Sequence, residues 1–216
     1  MTSPTATAAP TRRRPPDRLP HRLVQLYAGL VLYGVSIAFL VEARLGVMPW
    51  TVLDQGLVKV FPVSLGTMAV VVGALVLLAW VPLRQRPGLG TISNVVVIGP
   101  ALDVGLRLLP TPEPLAVRAV YVVLGIGLNA VATAAYIGAR FGPGPRDGLM
   151  TGLVRRTGWS VRLVRTSIEV TVVAAGFLLG GDLGVGTVLY ALAVGPLVQP
   201  LLPLLRVPER IPDTSA

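Results

Sequence analysis

Apolar residues gather in six long runs, at about 23–42, 65–83, 89–108, 117–138, 161–180 and 184–205, and polar residues collect between them. A helix needs roughly 20 mostly apolar residues to cross the hydrocarbon core of a bilayer, so each run predicts a span. Most of the separators are short. RQRPG (84–88) divides the second run from the third, and a Gly-Asp turn divides the fifth from the sixth. Two separators are longer and unlike ordinary loops: ARLGVMPWTVLDQGL (43–57) and ARFGPGPRDGLMTGL (139–153).

These two segments match each other. A shift of 96 residues superposes Ala43, Arg44, Gly46, Pro49, Leu53, Gly56 and Leu57 on Ala139, Arg140, Gly142, Pro145, Leu149, Gly152 and Leu153. The same shift lays GLGTISNVVVIGP (88–100) on GVGTVLYALAVGP (184–196) without a gap. Matched Gly, Pro and Arg at one offset predict an internal duplication. Three spans per copy is an odd number, so the second copy enters the membrane inverted, the plan of many secondary transporters. The predicted fold is therefore all-α: a polytopic membrane protein of six transmembrane helices built as two inverted three-helix repeats. Its predicted parts are a basic disordered tail (1–21), a first repeat (22–114), a second repeat (115–205) and a C-terminal tail (206–216).

Composition agrees with the membrane class. Of 216 residues 53% are hydrophobic and 13% charged, and the mean hydropathy is +0.72. The net charge of +9 marks topology here, because the arginines flank apolar runs and form no basic face interleaved with aromatics. Nucleic acid is not an expected partner. Fifteen of the 19 basic residues fall on one side of the alternating spans, leaving Arg44, Lys59, Arg107 and Arg118 on the other. Positive residues collect in the cytoplasm, so both termini are expected there. Arg12–Arg14 resemble a twin-arginine signal, but Pro15 and Pro16 follow at once and the next run lacks a small-x-small cleavage site, so that run reads as a retained helix.

The chain has no Cys and a single His, His21. Thiol chemistry, His/Cys zinc sites and a Ser-His-Asp triad are excluded, and no enzyme activity or cofactor is expected. GPGPRDG lacks the G-x-x-x-x-G-K-[ST] pattern and a preceding strand, so it is no nucleotide P-loop.

The Gly/Pro segments admit two readings. They form re-entrant half-helices whose N-terminal amides face a cavity and, with Arg44, Arg140, Arg146 and Asp147, bind an anionic group; or they are interfacial loops with arginines at lipid headgroups. Ionisable residues inside spans are functional candidates. Asp103, just past the Gly99-Pro100 break, is a candidate substrate, proton or cation site, or else pairs with Arg107. Glu169 is a candidate coupling residue, or else one half of a structural pair with Arg165 at i−4. Asn94 and Asn129 suit interhelical hydrogen bonds, and Ala130, Ala134 and Gly138 form a small-residue packing ridge.

LYGVSIAFLVEARLGVMPWTVLDQGL, PLRQRPGLGTISNVVVIGPALD, YIGARFGPGPRDGLMTGLVRRTG and IEVTVVAAGFLLGGDLGVGTVLYALAVGPLVQ together resemble the bacterial YczE/YitT-like integral membrane proteins, over nearly all of residues 22–203. The resemblance implies a multi-pass protein of the bacterial inner membrane whose biochemical activity is not established. Where the family has PWDVL, this chain has Pro49-Trp50-Thr51-Val52-Leu53. An Asp is thus missing at Thr51 while its repeat partner Asp147 is present, which leaves a symmetric carboxylate pair incomplete; Asp54 lies one turn further on. A permease with a site between the repeats is the expected function. The alternative is a membrane scaffold whose basic inner loop, GLVRRTGWSVRLVR (152–165), holds a cytoplasmic protein or anionic lipid.

Overall fold

A computed structural model of the chain describes residues 19–207. The expected tails lie outside the described residues up to position 18 and from position 208. The described residues form eight helices and no strand: α1 Leu19–Ala43, α2 Pro49–Val60, α3 Leu65–Trp80, α4 Leu89–Leu108, α5 Leu115–Gly138, α6 Pro145–Thr157, α7 Val161–Leu178 and α8 Val185–Leu205.

Each of the last four helices begins 96 residues after one of the first four. The starts have local causes. Pro49 and Pro145 occupy the first turns of α2 and α6, where a missing N–H costs nothing. Ser64 and Ser160 cap α3 and α7, each accepting from a backbone N–H three residues on, and so satisfy one of the free donors there. The ends of α1 and α5 also agree. Arg44 (φ 49°) and Arg140 (φ 59°) turn left-handed, followed by Gly46 (φ 102°) and Gly142 (φ 117°). A side chain makes that backbone costly, and the two arginines are held by reciprocal clamps. Arg118 donates to the carbonyls of Ala43 (2.7 Å) and Arg44 (2.5 Å), and Arg22 to those of Ala139 and Arg140 (3.0 Å each).

The core sits around α1, which packs against both α4 and α5, with Leu26, Leu30, Leu40, Leu102 and Ile126 buried there. Small residues let the backbones approach. A Cβ on Gly34 would lie 2.6 Å from the Ile98 carbonyl, the close contact typical of membrane helices. Short helices pack on the opposite half: α2 against α7 and α6 against α3. Large residues such as Val24, Val123, Leu178 and Leu204 face outward, which fits a lipid-facing surface and would be costly in water.

The expected spans at 23–42, 89–108, 117–138 and 184–205 coincide with α1, α4, α5 and α8, all long and apolar enough to cross a membrane. That at 65–83 is only partly matched. Leu65–Trp80 passes as a span only jointly with Pro49–Val60, from which it is bent by 112°. That at 161–180 corresponds to α7, which has 18 residues and carries Arg162, Arg165 and Glu169. The described residues thus hold four such helices, or five if the bent pair is one span.

Candidate functional site

A cavity of about 420 Å³ lies between the halves, walled mainly by α3, α4, α5, α6, α7 and α8. Its walls are built from positions 96 residues apart, including Trp50 and Arg146, Ala69 and Arg165, Gly73 and Glu169, and Asn94 and Tyr190. The two members of a pair differ in chemistry. All four charged wall residues, Arg146, Asp147, Arg165 and Glu169, come from the second half. The first half supplies Val72, Val76, Val95 and Ile98, together with Trp50, Tyr33 and Asn94.

The first turn of α6 forms the floor. The Trp80 indole N–H donates to the Pro145 carbonyl (2.9 Å), and its ring lies so close beneath Gly148 that a Cβ there would be 1.9 Å from Trp80 Cζ2. α6 is thereby pinned, and its residues 146 and 147 project into the cavity. The Arg146 guanidinium stacks over the Trp50 ring at 4.7 Å, a cation–π contact, and reaches Met48 Sδ at 4.0 Å. Tyr136 donates to Asp147 Oδ2 at 3.4 Å. Arg165 and Glu169 pair at 3.0 Å with side chains 58% and 38% exposed, so they stand at the mouth.

A buried polar chain runs beside the cavity. Tyr190 donates to Asn129 Oδ1 (2.8 Å), Asn129 to Ser36 Oγ (2.9 Å), and Ser36 to the Tyr33 carbonyl (2.6 Å). Each group is satisfied inside the protein, which removes the cost of burying it. Asp54 on α2 is buried, its Oδ1 has no hydrogen-bond partner among the described residues, and Arg146 is the charge that acts on it.

The cavity is not symmetric. On one side α3 and α4 touch: Cβ atoms on Gly66 and Gly99 would lie 2.1 and 2.3 Å from each other's carbonyl oxygens. Asp103 completes this seam by accepting from Ser64 Oγ (2.5 Å) and the Gly66 N–H (2.8 Å). On the other side α7 and α8 make no comparable contact. Gly195, the counterpart of Gly99, has open space where a Cβ would be.

Of the residues singled out in the sequence, Arg146, Asp147 and Glu169 are brought together on the cavity wall. Arg44 is exposed and Arg140 half-buried; both serve through their carbonyls in the clamps, and neither is on the wall. Asp103 holds the α3–α4 seam, with Ser64 and Gly66 as partners in place of Arg107. Gly138 of the small-residue ridge packs on the Leu205 carbonyl. Sequence reasoning did not pick out Trp50, Tyr33, Tyr136 or Tyr190. The usable signal was the set of paired positions where the two halves differ in residue class.

The fold and cavity define an all-helical membrane protein with a partly polar, partly apolar chamber between two similarly built halves. The chain matches the model of a family of unknown function, DUF6198, over residues 20–202. It is 40% identical over 174 residues to an uncharacterized protein of Haemophilus influenzae, covering 81% of this chain and 80% of that one. It is 31% identical over 179 residues to the uncharacterized membrane protein YczE of Bacillus subtilis, covering 82% and 83%. With the uncharacterized protein YyaS of Bacillus subtilis it shares 23% identity over 183 residues, 82% and 90% of the two chains. No solved structure matches it. The chain belongs to the YczE-like membrane family.

Proposed function

We propose that the protein is a small transporter of the bacterial cell membrane, with its site in the cavity between two inverted repeats. In this reading α1, α3, α4 and α5, α7, α8 are the six spans, α2 and α6 are short broken pieces, and both termini are cytoplasmic. The supporting observation is the lopsided cavity: α3 and α4 are sealed through Gly66 and Gly99, while their counterparts α7 and α8 stand apart. A device made of two like halves, closed at one and open at the other, has an equivalent state with the roles exchanged. Exchange between such states carries a solute across a membrane. An enzyme is disfavoured by the lack of Cys and by the position of the single His at 21, away from the wall.

The absence of Cys makes the test direct. Lys59→Cys in intact cells is expected to react with an impermeant thiol reagent, and its counterpart Arg155→Cys only in inside-out vesicles. Arg165→Cys at the mouth should behave like Arg155→Cys, while Ala69→Cys, on the sealed side of the cavity, should react slowly from outside. Equal behaviour of positions 59 and 155 would overturn the inverted arrangement. An Ala69→Cys that no outside reagent ever reaches would overturn alternating access.

The turn between α6 and α7 supports a lipid contact over a protein scaffold. Arg155, Arg156 and Trp159 are exposed there, and the pairing of basic and aromatic side chains suits anionic headgroups at an interface. Phosphatidylglycerol is expected to raise the melting temperature of the purified protein, and less so after Arg155→Gln with Arg156→Gln.

A further inference from the structure

The charges on the cavity wall limit what the cavity can hold. Arg165 and Glu169 neutralise each other at the mouth. Deeper, Arg146 and Asp147 are neighbours in the first turn of α6, carry opposite charge, and form no ion pair with each other among the described residues. The Arg146 guanidinium donates to no oxygen among these residues; its contacts are the Trp50 ring and Met48 Sδ. Most of its five N–H donors therefore remain available, and their fork geometry matches a carboxylate. Asp147 receives the Tyr136 hydroxyl at a long 3.4 Å and a backbone contact at Gly144, with Arg165 and Arg146 as the charges that act on it. Two carboxylate oxygens still leave acceptor capacity for an ammonium. Asp54 is within electrostatic reach of Arg146 but makes no hydrogen bond to it and is not on the wall.

A lone anion would meet Arg146 but face Asp147, and a lone cation would meet the reverse. A molecule bearing both charges on neighbouring atoms satisfies the two at once. The opposite wall is apolar, from Val72, Val76, Val95 and Ile98, and would exclude a second charged end. The volume of about 420 Å³ lies at the lower end of the ~300–1,000 Å³ found for small-molecule sites, and suits a solute of amino-acid size.

We infer that the cavity binds a small zwitterion with an apolar tail, its carboxylate on Arg146, its ammonium on Asp147, and its tail against α3 and α4. This names the substrate class of the site proposed above and rests on that reading for transport, though not for binding.

The test is calorimetric titration of the purified full-length protein with three probes sharing one ring: phenylalanine, 2-phenylethylamine and 3-phenylpropionate. Phenylalanine is expected to bind at least about tenfold more tightly than either singly charged analogue. Arg146→Gln should lower its affinity to that of the amine, and Asp147→Asn to that of the carboxylate. The wild-type comparison decides the matter even if a variant fails to fold. Binding of either analogue as tightly as phenylalanine, or of none of the three, overturns the assignment. Flux in reconstituted vesicles separates the two claims. The charge rule in binding without flux under any imposed gradient would sustain the ligand class and sink the transporter. Flux of a singly charged probe alone would do the opposite.

Discussion

The α3–α4 seam and the α7–α8 gap are the same pair of positions built with different side chains. Gly66 on α3 meets Gly99 on α4, carbonyl against α-carbon, whereas the residue 96 after Gly66 is Arg162. Glycine lets two backbones touch; at the matching position the second half carries an exposed arginine. Asp103 ties the closed pair through Ser64 and Gly66, while its counterpart Gln199 lines the cavity. In the most apolar stretch of α4, 39% of residues are buried, against 6% in α8. The backbone plan of the two halves is shared, and a handful of side chains distinguishes the sealed end from the open one.

The sharpest way to break this comparison is to place one substitution at both ends of it. Gly99→Leu would put a Cβ 2.3 Å from the Gly66 carbonyl, whereas at Gly195 nothing lies within 4 Å. Forcing atoms into a packed contact costs about 1–3 kcal/mol and often more. Gly99→Leu is therefore expected to lower the melting temperature strongly or prevent recovery of monodisperse protein, and Gly195→Leu to leave both unchanged. Similar losses at the two positions would mean that α7 and α8 are as closely packed as α3 and α4.

A second contrast lies in the cross-packing of the halves. Trp80 on α3 fills the space over Gly148 on α6; at the corresponding positions Gly176 on α7 lies against Val52 on α2, where a Cβ on Gly176 would be 2.5 Å from the Val52 carbonyl. The large and small partners are exchanged. Gly148→Val alone should abolish folding, since its Cβ would overlap the indole. Combined with Trp80→Gly it reproduces the other half and should restore a monodisperse peak in size-exclusion chromatography. A double variant no better than the single one would show that the two contacts are not equivalent.

The carboxylate of the seam gives a smaller effect. Asp103→Ala removes two hydrogen bonds to a charged group, an interaction worth about 1.5–3 kcal/mol in other proteins, and opens the α3–α4 end. Gln199→Ala removes nothing from a packed contact. Thermal melting in detergent should separate the two, with Asp103→Ala the less stable. Equal melting would mean that the seam is held by the glycines alone.

Much of this plan was readable along the chain. Prolines at helix starts are local signals, the 96-residue offset emerges when the chain is compared with itself, and α2 and α6 begin where Pro49 and Pro145 place them. The apolar runs marked α1, α4, α5 and α8 because lipid demands length and hydropathy, both of which are written in order. The cavity was legible at Arg146, Asp147, Glu169 and its partner Arg165, whose charge drew notice, and at Asn94, a polar residue in an apolar run. Trp50 of one half stacks on Arg146 of the other, a contact between residues far apart in sequence that no local pattern encodes. Arg44 and Arg140 show the reverse case. Their side chains suggested anion binding, yet the structure uses their left-handed backbones and their carbonyls. The gap between α7 and α8 was hidden for a further reason: Gly195 and Pro196 repeat Gly99 and Pro100, and the sequence difference lies at the counterpart of Gly66, which is Arg162.

The smallest difference between the halves is expected at the clamps, where the geometry is most alike. Arg118→Gln and Arg22→Gln each remove a guanidinium that binds two carbonyls at a left-handed turn. Both variants should lose stability, by about 1.5–3 kcal/mol if these bonds resemble other charge-assisted ones. Only one extra contact tells them apart. Arg22 also lies 4.5 Å over the Phe141 ring, whereas the residue matching Phe141 in the first half is Leu45, which offers no π face. A cation–π contact at a partly exposed site adds about 0.5–1 kcal/mol, so Arg22→Gln should be the more damaging by about that amount. Phe141→Leu tests the cause. In that background the two clamp variants should melt alike, and a gap that persists would place the asymmetry in the carbonyl contacts themselves.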